Sequence, residues 1–127
     1  RTPFFVCGSV DETDGTPLET LAHPQSRRVM SAENVALLRK MLCQVVEEGT
    51  AQDAAWLEEG AGGKTGTAQT GQFTPDGTER KNLWFAGFYP AQQPRYTIVV
   101  LQDGQVSTEH SSAAIFARLC AMLDLLA

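Results

Sequence analysis

Residues 60 to 69 read GAGGKTGTAQ and set one lysine, Lys64, among glycines and hydroxyl side chains. Two chemistries use such a set. One is phosphate binding, in which glycine-rich backbone and a Lys-Thr pair cradle an anion. The other is the edge strand of a serine acyl-transfer site. A phosphate loop needs Gly, four residues, then Gly-Lys-Ser/Thr. Gly63-Lys64-Thr65 supplies the end, but the first glycine would fall at position 58, which is Glu58. A phosphate loop also opens a helix whose N-terminus holds the anion. The residues after Lys64 are Thr, Gly, Thr, Ala, Gln, Thr and Gly, a poor helix. The residues therefore fit a strand better than a phosphate loop.

The surrounding periodicities say what positions that strand. From Ala32, Val35, Leu38, Leu42 and Val45 recur at helical spacing, with Ser31 as a plausible N-cap, Glu33 in the first turn and Gly49 as a stop. This predicts a helix over 32–48. A short extra turn is expected near Ala54 to Leu57. The Thr-rich KTGTAQT reads as a strand over about 62–70, and GQFTPDGTERKN (71–82) reads as a loop. LWFAGFYP (83–90) and YTIVVLQD (96–103) read as two more strands, with a tight link that makes them an antiparallel pair. Ile115, Leu119, Met122 and Leu126 give a second helix over 111–126, capped by Thr108 or Ser111. Before the first helix, 4–9 reads as a short strand, DETDGTP as a turn, and 18–30 as irregular, with Pro24 barring a helix. The fold class is α+β: an antiparallel sheet of about three strands, packed by an N-terminal and a C-terminal helix.

The segments EEGTAQDA, GGKTGTAQT, WFAGFYP, YTIVVLQDG and SSAAIFARL, in this order, resemble the last part of the transpeptidase domain of penicillin-binding proteins. DETDGTPL and RRVMSAENVALLRKML resemble the part just before it, so the resemblance covers nearly the whole chain. Lys-Thr-Gly is one of three motifs in this serine penicillin-binding and β-lactamase superfamily; the others are Ser-x-x-Lys and Ser-x-Asn. The resemblance implies a partial fold of that type, with residues 1–127 as the C-terminal portion of the domain. It implies that Lys64 brings an ammonium to the carboxylate of a D-Ala-D-Ala stem peptide or of a β-lactam. Thr65 would offer a hydroxyl to the same group. Gly66, lacking a side chain, would let a substrate strand lie against the backbone. The backbone N–H of Thr67 would be one half of the oxyanion hole, a donor worth about 10²–10³-fold in rate. Without the family pattern, Lys64 would read as an ordinary solvated charge, and Trp84 and Phe85 as core or cleft wall.

No serine is followed by lysine at the third position: Ser9, Ser26, Ser31, Ser107, Ser111 and Ser112 lead to Glu12, Val29, Asn34, His110, Ala114 and Ile115. Ser-x-Asn is absent too. A site without its nucleophile does not acylate, so the chain alone is expected to be inactive. The opening Arg1-Thr2-Pro3-Phe4-Phe5-Val6 reads as mid-domain sequence, and the missing N-terminal part of the domain is the expected intramolecular partner. The family implies a membrane-anchored parent that works on peptidoglycan at the extracytoplasmic face of the membrane. The alternatives are a β-lactam sensor or β-lactamase of the same superfamily, or a non-catalytic module that kept the fold.

Composition limits other functions. The chain has 10 Lys and Arg against 15 Asp and Glu, a formal charge of -5. Nucleic-acid binding needs a basic patch, and none is visible. Cys7, Cys43 and Cys120 are odd in number and lack CxxC spacing, so neither a disulfide framework nor a metal site is expected. Cys43 and Cys120 lie in helical patterns and read as small core residues. His23 and His110 have no third partner to complete a metal set, and no cofactor is implied. No apolar run reaches about 18 residues, and no secretory leader is visible. The apolar strand 96–103 would stand as a bare sheet edge, which predicts self-association.

Overall fold

The structure, a computed structural model, describes residues 8–10, 13–20 and 27–125. The chain divides into two compact units, Arg1–Ser31 and Ala32–Ala127. In the first, strand β1 (Gly8–Val10) pairs antiparallel with β2 (Pro17–Thr20). The Asp14 carboxylate accepts a hydrogen bond from the Thr16 N–H at 2.8 Å in the intervening turn. Hydrogen bonding by Thr16 holds the Asp14 carboxyl below its usual range. Pro17–Thr20 thus overturns the irregular reading of this stretch: a strand of four residues is too short to show a period. Residues 4–7 of the expected first strand lie outside the described residues, as do Cys7 and His23.

The second unit carries helix α1 (Ala32–Glu47), a 3-10 turn (Gln52–Ala54), strands β3 (Gly62–Phe73), β4 (Glu79–Tyr89) and β5 (Tyr96–Gln105), and helix α2 (Ser112–Asp124). The strands form one antiparallel sheet in the order β3-β4-β5. The fold is α+β as expected, with α1 packed against β3 and α2 against β4 and β5. Strand alternation puts Phe85, Gly87 and Tyr89 on the face toward α2. There Phe85 and Phe116 meet edge to face, with ring centroids 4.8 Å apart. These rings, with Val100, Ala117, Cys120 and Val46, form the core. Ser111 caps α2, its side chain accepting from the Ala114 N–H at 3.1 Å.

Helix α1 stops where predicted, for a different reason. Gly49 is not left-handed. A Cβ there would lie 2.8 Å from the Val45 carbonyl oxygen, so any larger residue would collide with the helix it terminates. Only the C-terminal half of α1 is packed: Val46 is buried, whereas Val35, Leu37, Leu38 and Met41 are exposed. Arg39 reaches from this helix to the β4–β5 connection, donating to the Ala91 and Gln92 carbonyls at 2.6 and 2.5 Å.

The expected loop over 71–82 is mostly strand. β3 runs on to Phe73 and β4 begins at Glu79, leaving residues 74–78 as the turn. Gln69 donates to Glu79 at 2.8 Å and the Thr70 hydroxyl to the Arg80 carbonyl at 2.6 Å, so polar cross-strand pairs hold the hairpin where apolar ones are absent. Gly77, at φ 84°, supplies the left-handed residue of the turn. β5 also extends past the expected end, through an irregularity at which Gly104 donates to the Asn82 side-chain oxygen at 2.8 Å.

Candidate active site

Lys64, Thr65, Gly66 and Thr67 lie on β3, which is an edge strand of the sheet among the described residues. Two glycines seat that strand. A Cβ at Gly62 would lie 2.3 Å from the Phe88 ring, and one at Gly63 would lie 2.4 Å from the Phe85 ring and 2.7 Å from the Ala86 carbonyl oxygen. Phe88 and Phe85 are on opposite faces of β4. Each glycine therefore accepts one phenylalanine ring, and β3 can lie close along β4 just before the lysine.

The register fixes which backbone groups face outward. Lys64 is opposite Ala86, Thr65 opposite Phe85 and Thr67 opposite Leu83. The Ala86 carbonyl oxygen comes within 2.7 Å of the Cβ position at Gly63, so it points across to β3. Lys64 and Ala86 thus form a hydrogen-bonded pair. Pairs alternate along an antiparallel ladder, which leaves the N–H and C=O of Thr65 and Thr67 directed to the free edge. In agreement, the Thr65 carbonyl accepts from the Lys64 ammonium at 2.8 Å.

The side chains converge on Thr65. The Lys64 ammonium is 3.4 Å from the Thr65 hydroxyl oxygen. The Thr50 hydroxyl, from the segment between α1 and the 3-10 turn, is 2.8 Å from the same oxygen. Lys64 and Thr67 are exposed, while Thr65 and Gly66 are half-buried. A Cβ at Gly66 would meet only the Trp84 Cβ, at 3.5 Å, so this glycine is not needed for packing. The arrangement is a cation, a hydroxyl and outward backbone donors along one strand edge, which suits an anionic, extended ligand. Thr50 was not singled out from sequence; it is 15 residues from Thr65, and no local period links the two.

Other candidates stand apart. A hollow of about 780 Å³ is lined by Trp56, Glu59, Tyr89, Arg95 and Asp124, among others, and contains none of Lys64 to Thr67. The Tyr89 hydroxyl donates to the Asp124 carboxylate; burial, then this bond, pushes the Tyr89 pKa well up. Burial pushes the Cys120 thiol up to about 12. Cys120 is fully buried, as expected of a core residue; Cys43 is only partly so, and burial raises its pKa too. The His110 carbonyl accepts from Gln102 at 3.2 Å. Among the described residues no three His, Cys, Asp or Glu side chains gather as metal ligands, and no helix is long and apolar enough to cross a membrane.

Residues 1–121 match the model of the penicillin binding protein transpeptidase domain. The chain belongs to this family. It is 36% identical over 114 residues to penicillin-binding protein PbpB of Mycolicibacterium smegmatis, covering 81% of this chain and 17% of that protein. It is 37% identical over 82 residues to the peptidoglycan D,D-transpeptidase FtsI homolog of Chlorokybus atmophyticus, covering 62% and 12%. The crystal structure of penicillin binding protein 3 from Mycobacterium tuberculosis, complexed with ampicillin, superposes with a TM-score of 0.66 at 30% identity, covering 95% of this chain and 29% of that one. The chain thus spans a fifth or less of the length of the curated relatives it matches. The sheet and helices described above are those of a penicillin-binding protein transpeptidase fold.

Proposed function

We propose that this chain is the C-terminal part of a peptidoglycan D,D-transpeptidase domain, whose complete enzyme cross-links stem peptides by serine acyl transfer and is acylated by β-lactams. The observation that carries this reading is the outward direction of the Thr65 and Thr67 backbone on an edge strand beside the Lys64 ammonium. A stem peptide ending in a carboxylate adds along this edge. Lys64 and Thr65 take the carboxylate, and Gly66 leaves room for the peptide backbone. The Thr67 N–H faces the developing oxyanion of the acyl group, where preorganised donors act most strongly. The nucleophilic serine, its activating lysine and the Ser-x-Asn motif are supplied by sequence outside these residues, and the serine's own N–H completes the oxyanion hole. The ampicillin bound to the M. tuberculosis relative supports β-lactams as ligands. A peptidoglycan substrate places the enzyme at the extracytoplasmic face of the membrane, anchored by a segment other than these helices.

The test is penicillin acylation of the complete enzyme, followed by intact mass. The wild type acquires one adduct, whereas these 127 residues alone acquire none. Lys64→Ala slows acylation about 10- to 100-fold, the range of a lost hydrogen bond to a charged group. Thr67→Ala keeps its N–H and changes little. Thr67→Pro removes the donor, and because that N–H faces the free edge the sheet tolerates it; acylation then falls about 10²–10³-fold. Equal rates for wild type and Lys64→Ala would sink the assignment.

A further inference from the structure

Building on the function proposed above, we infer that Arg39 is a positioning residue: through Ala91 it anchors Glu59 and Gly60, the root of the glycine run that leads to Lys64, and so fixes where the Thr67 N–H stands during acylation. Arg39 lies on α1 and is no part of the Lys-Thr-Gly triplet.

The run GAGG (60–63) is the freest part of this strand, since three of its four residues are glycine, which has the widest backbone freedom. From the Gly62–Phe88 pair onward, the ladder with β4 restrains it. Ahead of that pair, Ala91 does so. Its N–H donates to the Glu59 and Gly60 carbonyls at 3.1 and 3.0 Å. A Cβ at Gly60, where φ is 61°, would lie 3.2 Å from the Ala91 Cβ, so the two segments are in close contact. Ala91 belongs to the β4–β5 connection, which is closed at its base by the Arg95 N–H donating to the Tyr89 carbonyl at 2.9 Å.

Arg39 holds that connection from the helix side. One terminal nitrogen, Nη2, donates to both the Ala91 and the Gln92 carbonyls. Bonds from a guanidinium are charge-assisted and stronger than neutral ones. Ala91 is thus held twice, its N–H by the root of β3 and its C=O by α1. The Arg39 Nε is buried without a hydrogen-bond partner among the described residues. A donor left so is costly, which marks a side chain placed for what its far end holds.

The consequence falls on backbone groups. The Lys64 ammonium sits on a flexible stem and can follow a carboxylate if the strand shifts. The Thr67 N–H moves with β3 and cannot. Misplacing a reacting group by about 1 Å costs about 10²-fold in rate. Loosening the Arg39 clamp therefore slows the chemical step and spares the binding that precedes it.

The test is the saturation kinetics of penicillin acylation by the complete enzyme, which separate the dissociation constant of the first complex from the acylation rate constant. Arg39→Met keeps the stem and removes the donors. It is expected to lower the acylation rate constant about 10-fold, less than a displacement of about 1 Å would, and to leave the dissociation constant unchanged. Arg39→Lys retains a donor for the two carbonyls and recovers most of the rate. Gly60→Ala, which pushes on Ala91 from the strand side, should show the same split, and it carries the test if Arg39→Met fails to fold. Denaturation midpoints are read alongside. A rate constant that stays at the wild-type value would overturn the inference. So would rate and dissociation constants that worsen together with a lowered midpoint, since Arg39 would then be structural. The wild-type arm separates the two readings: a complete enzyme that takes no penicillin at all removes the proposed function and this inference with it, whereas normal wild-type acylation with an indifferent Arg39→Met removes the inference alone.

Discussion

Three glycines within five residues of β3 are expected to respond to alanine in three different ways. At Gly63 the added carbon would sit 2.4 Å from the Phe85 ring, 2.7 Å from the Ala86 carbonyl oxygen and 2.9 Å from the Gly87 Cα. Two of those atoms are backbone of β4, so relief requires the strands to part where Phe85 meets Phe116. Overpacking of this kind costs about 1–3 kcal/mol, and the backbone obstacles put Gly63→Ala at the upper end. The reduced freedom of the unfolded chain returns about 0.4–1 kcal/mol, leaving a net loss of about 2 kcal/mol. At Gly62 all three close atoms belong to the Phe88 ring, which is only half-buried and can swing, so the loss is smaller. At Gly66 the nearest atom is 3.5 Å away, an ordinary contact, and alanine should be neutral or stabilising by up to about 1 kcal/mol. Urea unfolding of this chain followed by circular dichroism measures all three. With a slope of about 1–3 kcal/mol per molar, the Gly63→Ala midpoint should fall about 1 M below that of Gly66→Ala. In the complete enzyme, Gly66→Ala should nonetheless slow acylation, because its side chain would stand where the proposed function places the substrate strand. Gly66→Ala as unstable as Gly63→Ala would refute the reasoning, since all three glycines would then serve one backbone requirement.

Phe116, fully buried at the ring contact with Phe85, should cost about 3–5 kcal/mol when truncated to alanine, read as a lowered denaturation midpoint; a loss under about 1 kcal/mol would mean that α2 is not fastened there. Alkali should destabilise the fold. Cys120 is raised from 9.0 to about 12 and Tyr89 is raised above 10.0, so the folded state holds protons the unfolded chain has released. That stability is whole below pH 9 and is lost as pH climbs through about 12; a denaturation midpoint flat across this window would contradict it. The outer edge of β5 has no strand partner among the described residues, and Val99 and Leu101 are exposed there. The chain should associate with rising concentration in sedimentation, and Val99→Lys should suppress this; a monomer at all concentrations would count against it.

What could be read from sequence was what repeats locally. The helical spacings located α1 and α2 and the apolar runs located β4 and β5, but the spacing read in α2 marked the wrong face: Leu119 and Met122 are exposed, while Ala113, Phe116, Ala117 and Cys120, small or aromatic residues one step round the helix, are buried against the sheet. The hairpin over 70–80 escaped because its strand ends are polar: Gln69, Thr70, Glu79 and Arg80 pair across it through side-chain hydrogen bonds, and composition reads such residues as loop. Gly62 and Gly63 were visible as glycines, but their purpose was not. It depends on Phe88 and Phe85, which come to lie beside them only after β4 folds back. The same holds for the candidate site. Lys64 to Thr67 could be located from the triplet and its surroundings. The outward direction of the Thr67 N–H follows from the Lys64–Ala86 register, and the Thr50 contact from where α1 ends; neither exists in the linear chain. Sequence thus names the groups on this edge, while pairing between distant segments decides which atoms of those groups face a ligand.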